Sequence, residues 1–146
     1  MDNLQYLIVW CFAAVSLSGF LYGIKNTKKN PYGLSYIYNI IGAFVWVDAV
    51  VFGAFWVLIS AAVLFLNNFV FFLLTLSLFW LVRSAGEIQY WIYEQFAQSH
   101  RNPPHTLWVS KFFPHESAWI VMQIFWQCVL VISIIFSLYF VKVLIQ

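Results

Sequence analysis

Four long apolar runs constrain the fold of this chain more than any other feature of its sequence. They cover about 4–24, 36–66, 69–98 and 118–144, and a helix of about 20 apolar residues crosses roughly 30 Å of hydrocarbon. Lipid offers no partner for backbone N–H and C=O groups, so a spanning segment must satisfy them internally, as a helix does. The alternating strands of a membrane barrel, each roughly ten residues long, do not fit such runs. The sequence therefore predicts an all-α, polytopic membrane helical bundle with about four transmembrane helices, in a single transmembrane domain over 1–146.

The composition indicates that most of the protein surface faces hydrocarbon, and it argues against nucleic acid as a partner. Only 8% of the residues are charged, against about 25% in a soluble domain. The net charge of +2 is small and scattered, whereas a nucleic-acid-binding surface needs a basic patch. The predicted partner is therefore the lipid bilayer.

The basic residues predict the orientation of the spans. If the third run continues past Arg83 as a cytoplasmic extension, six of the seven basic residues fall on one side of the membrane and only Lys142 falls on the other. The six are Lys25, Lys28, Lys29, Arg83, Arg101 and Lys111. Because cytoplasmic loops carry an excess of Lys and Arg, both termini are expected outside the cytoplasm. The expected location is the plasma membrane or an inner membrane.

Small residues mark the faces through which the first two helices are expected to pack. In lipid, close backbone approach drives association, and small side chains permit it. Along one side of the first run lie Ser16, Gly19 and Gly23. The second run carries a similar narrow stripe, formed by Gly42, Ala49, Gly53 and Ser60. The sequence leaves open whether the neighbour belongs to the same chain or to another copy.

A polar face on the third run is the most informative functional feature. Steps of four, three and four residues place four polar side chains within about 60° of arc: Arg83, Glu87, Tyr90 and Glu94. Asp48 stands alone in the second run, where an intramembrane carboxylate costs about 3 kcal/mol and calls either for a partner or for protonation. Arg83 is the candidate partner. Gln123 and Gln127 supply amides from the fourth run. These seven residues form the predicted ligand or ion pathway, although the same charges could instead hold helices together.

Histidines after the third run raise the alternative of a metal site. Imidazole and carboxylate groups are common metal ligands, and the candidates are His100, His105, His115 and Glu116. Their spacing matches no compact ligand motif. No other cofactor follows from the sequence.

Three functions remain open from the sequence. The leading one is a non-enzymatic protein that binds or passes a small solute or ion at the polar inter-helix site, as a homo-oligomer, because one small bundle rarely encloses a pathway alone. The second is a structural or assembly subunit of a larger membrane complex. The third is a metal-dependent membrane enzyme that uses the cytoplasmic histidines.

Overall fold

The fold is an all-α helical bundle with four long apolar helices. The computed structural model describes residues 1–33, 35–113 and 115–146, without the side chain of Tyr36. The four helices are α1 (Asn3–Thr27), α2 (Trp46–Leu66), α3 (Phe69–Phe96) and α4 (Ser117–Ile145). Each is long and apolar enough to cross a membrane. The predicted fold class is therefore confirmed.

The chain divides into two compact units, Met1–Thr75 and Leu76–Gln146. The first contains α1, α2 and the first turns of α3, and the second contains the rest of α3 with α4. The single domain over 1–146 stays a prediction.

In the first unit, α1 and α2 pack antiparallel with their backbones in close approach. A Cβ atom added to Gly53 would lie 2.8 Å from the Ser16 carbonyl oxygen, and one added to Gly23 would lie 2.9 Å from the Val50 nitrogen. Ala49 and Ser60 are buried beside them. The predicted packing role of Gly23 and Gly53 is confirmed, and the neighbour belongs to the same chain.

The second predicted run, 36–66, is not one helix, because α2 begins only at Trp46. The apolar segment before it forms a 3₁₀ helix, Tyr36–Ile41, which ends where Gly42 adopts φ 79°, a left-handed conformation that glycine tolerates best. Ile41 is fully buried, and its side chain lies against Gly19. Gly42 therefore ends a turn of helix and does not belong to the small-residue stripe of α2.

In the second unit, α3 and α4 run antiparallel and make contacts at both ends and in between. The Ser137 hydroxyl donates to the Ser77 hydroxyl (3.1 Å), and the Gln95 amide donates to Gln123 Oε1 (2.8 Å). The rings of Trp80 and Trp126 stack between these two contacts. Two 3₁₀ turns, Pro104–Thr106 and Trp108–Lys111, lie in the connection between the helices.

Candidate polar site on α3

Arg83 and Glu87 form an ion pair in the second half of α3. Arg83 Nη2 lies 2.9 Å from Glu87 Oε1, and the two side chains are 18% and 13% exposed. The pair is the i,i+4 contact that the sequence predicts, since residues four apart are neighbours on a helix surface.

The pair lies in the second half of α3, a helix that is long and apolar enough to cross a membrane. At 1.5 Å per residue, the 28 residues of α3 extend about 42 Å. Arg83 lies about 21 Å and Glu87 about 27 Å from the start of the helix. A hydrocarbon core of roughly 30 Å that fell wholly within this helix would include both positions.

Asp48 lies at the end of a helix and not in the middle of one. It occupies the first turn of α2, and its Oδ2 accepts the backbone N–H of Phe44 (3.3 Å). A carboxylate here satisfies a donor at the helix start and complements the positive end of the helix dipole. The sequence placed Asp48 deep in a span because it joined the 3₁₀ segment to α2. Its pairing with Arg83 stays a prediction.

Glu94, near the end of α3, is a fully buried carboxylate that holds the loop after the helix. Its Oε1 accepts the backbone N–H of Arg101 (3.2 Å), and its Oε2 accepts that of Asn102 (3.3 Å). His100 Nδ1 lies 3.9 Å from the same Oε2. Hydrogen bonds to an ionised acceptor are among the stronger ones, so this carboxylate orders the start of the α3–α4 connection.

Asn102 is the central residue of this network that sequence reasoning missed. Its Nδ2 donates to the Tyr90 hydroxyl (2.6 Å), and its carbonyl oxygen accepts the indole N–H of Trp119 (2.9 Å). Tyr90 also interacts with Glu94. The loop thus ties the end of α3 to the start of α4. The one available signal was Pro103 after Asn102, because a residue before proline is pushed towards extended geometry.

The two glutamines of α4 differ in their surroundings. Gln123 is half-buried and bonded to Gln95, a residue that the prediction did not include. Gln127, four residues later, is exposed. The structure therefore brings Gln123 to α3, whereas Gln127 lies on the outer surface of α4.

The predicted metal ligands lie in or beside the connection between α3 and α4. All four are exposed: His100, His105, His115 and Glu116. Among residues 1–33, 35–113 and 115–146, no three His, Cys, Asp or Glu side chains come together as a metal site would require. His100 lies instead beside Glu94 and against the Trp119 ring, with the ring centroids 4.4 Å apart.

Chemically, the second unit combines a charged pair on α3 and a hydrogen-bonded carboxylate at the helix end. Both lie on the face of α3 that the sequence predicted. Comparisons with protein-family models, curated proteins and solved structures found no match.

Proposed function

We propose that this membrane protein binds or passes a small solute or ion at a polar site centred on Arg83 and Glu87. The observation that carries the proposal is their 2.9 Å ion pair in the second half of a helix that is long and apolar enough to cross a membrane. Ionisable residues within a membrane are costly, and they commonly mark substrate or ion pathways.

The rest of the polar face supports this function. The α3 residues before Arg83, 69–82, carry no charge, so the pair is a local exception in an apolar helix. Tyr90 and Glu94 continue the face towards the end of α3, where Glu94 orders the loop. A solute would meet the polar loop at the helix end and the charged pair deeper in the membrane.

The proposal includes an assembly and an orientation. We propose a homo-oligomer, since one small bundle offers little room for a pathway of its own. Both termini lie outside the cytoplasm of a plasma or inner membrane, because five basic residues outside the four apolar runs then lie in cytoplasmic segments: Lys25, Lys28, Lys29, Arg101 and Lys111.

Ion uptake into proteoliposomes tests the function. Purified protein is reconstituted, and uptake of radioactive Na⁺, Rb⁺ and Cl⁻ and of protons is compared with that of protein-free vesicles. We expect faster uptake of at least one of these ions and its loss in Arg83→Gln. The matched control is Lys142→Gln, which also removes one cation but lies in the last turn of α4. Equal uptake by Arg83→Gln and Lys142→Gln would contradict a role for the pair.

A structural subunit of a larger membrane complex is the second candidate. Polar groups of spanning helices also hold membrane subunits together, and the Arg83–Glu87 pair can serve in that way. Native mass after mild solubilisation from the membrane of origin separates the two functions. A stable assembly that contains other proteins supports the subunit, and an assembly of this chain alone supports the solute site.

A further inference from the structure

The outer surface of α4 carries a continuous apolar seam with a heptad spacing. Its positions follow at alternating steps of four and three residues, and they span about 100° of arc at 100° per residue. All eight are exposed: Ile120, Ile124, Gln127, Val131, Ile134, Leu138, Val141 and Ile145. This is the spacing by which one helix packs into another in a left-handed coiled coil.

The seam adjoins the face through which α4 packs in its own unit. The two meet at Gln123, which shares the angular position of Val141 and is bonded to Gln95 of α3. That buried face is formed by Trp119, Trp126, Ser133 and Ser137, and its centre is about 110° away from the centre of the seam. The fold of the second unit therefore leaves the seam available to a partner within the membrane.

Gln127 is the polar residue among the eight seam positions, and it lies about a third of the way along α4. It follows Ser117, the first residue of α4, by about 15 Å at 1.5 Å per residue. The 29-residue helix extends about 43 Å, so it exceeds a roughly 30 Å core by only about 13 Å. A core that fell wholly within α4 would therefore include this exposed amide, and lipid cannot satisfy the hydrogen bonds of an amide.

We propose that the seam is the interface with a second copy of this chain, in which the two Gln127 amides pair across a two-fold axis. Copies inserted with the same topology run their α4 helices in parallel, so each residue near the axis meets its own counterpart at the same depth. An amide carries both donors and an acceptor, so two copies satisfy each other reciprocally. A two-fold interface has this self-complementary form.

The neighbouring exposed stripe of α4 shows why the seam is the interface. It includes Phe125, Ile132, Phe136 and Tyr139, which are apolar or aromatic along the spanning part. Such side chains are stable against lipid without a partner, whereas Gln127 is not. A single polar residue in an apolar seam also specifies the register of two helices.

This interface extends the homo-oligomer of the proposed function by naming its surface, but it does not depend on the solute site. Arg83 and Glu87 lie on α3, so uptake assays test the solute site. Cross-linking and the dimer affinity test the seam. Either proposal can therefore fail while the other stands.

Disulfide cross-linking in the membrane tests the seam. Cys11 and Cys128, which are both free, are replaced by Ser, and single cysteines are placed at two adjacent positions of matched exposure. Val131 lies in the seam and is 55% exposed, while Ile132 lies outside it and is 53% exposed. Under oxidation, Val131→Cys should give the linked dimer, and Ile132→Cys should give little. Equal yields from the two variants would overturn the proposal.

The amide pair is tested by the dimer affinity of the full chain in detergent micelles, measured by sedimentation equilibrium over a range of protein-to-detergent ratios. Gln127→Leu should raise the dimer Kd about tenfold, which is the loss expected for one interhelical hydrogen bond. Ile132→Leu is the control and should leave the Kd unchanged. A wild-type protein that stays monomeric, or a Gln127→Leu variant that dimerises as tightly as wild type, would refute the pairing.

Discussion

Replacing Gly53 by alanine tests the close approach of α1 and α2. The added Cβ would lie 2.7 Å from the Phe20 nitrogen and 3.0 Å from the Phe20 Cα, as well as 2.8 Å from the Ser16 carbonyl oxygen. These atoms are all backbone, so no side chain can rotate away, and the two helices must separate. Separation weakens dispersion contacts along the whole interface.

The magnitude follows from a matched control, Gly86→Ala. A Cβ on Gly86, within α3, meets nothing within 4 Å. Both variants gain about 1 kcal/mol of helix propensity, so that gain cancels when they are compared. The difference between them is the cost of overpacking, typically about 1–3 kcal/mol, and contact with rigid backbone places Gly53→Ala in the upper part of that range.

Unfolding by SDS in mixed micelles, followed by tryptophan fluorescence, measures this difference. Gly53→Ala should lower the free energy of unfolding relative to wild type, and Gly86→Ala should leave it unchanged or raise it. If the two variants agree within about 0.5 kcal/mol, the limit at which independent effects are resolved, the close approach of α1 and α2 is refuted.

Three further predictions concern the polar residues and the topology. Glu94→Gln should lower the free energy of unfolding by about 2 kcal/mol, because the NH₂ group of the new amide would face an N–H donor of Arg101 or Asn102. Asn102→Ala loses one neutral hydrogen bond and should lower it by about 1 kcal/mol. Equal losses in SDS unfolding would argue against a central role for the buried carboxylate. Asp48→Asn should lower the free energy of unfolding by about 1 kcal/mol, because it weakens the start of α2. A double-mutant cycle with Arg83→Gln tests whether Asp48 and Arg83 pair, and simple additivity of the two losses would exclude it. Single cysteines at Asn3 and Gln146 should react with an impermeant thiol reagent added outside the cell, and those at Asn30 and His105 should not, by the bias of basic residues; the opposite pattern would invert the topology.

The sequence was sufficient to predict the four helices. Their runs are apolar and contain few charges, and in lipid the backbone must satisfy its own hydrogen bonds, so composition and length alone imply helices. The packing role of Gly23 and Gly53 was also predictable, because glycine in a spanning helix has few other uses than close approach. The i,i+4 spacing was enough to suggest the Arg83–Glu87 pair.

The start of α2 and the partners of Glu94 depended on tertiary structure. The segment 36–45 is as apolar as a span, and only the left-handed Gly42 and the burial of Ile41 against α1 and α2 separate it from the helix that follows. Hydropathy does not distinguish burial in protein from burial in lipid, so the sequence joined this segment to α2 and placed Asp48 inside a longer helix than the one that forms.

The partners of Glu94 could not be predicted from the sequence for a different reason. Its donors come from residues seven and eight positions later in the chain, after the helical periodicity has ended at Phe96. The path of an irregular loop depends on what it packs against, and here that is Trp119 at the start of α4. Local pattern thus determined which segments are helical, and only the packing of loop against helix decided which polar groups meet.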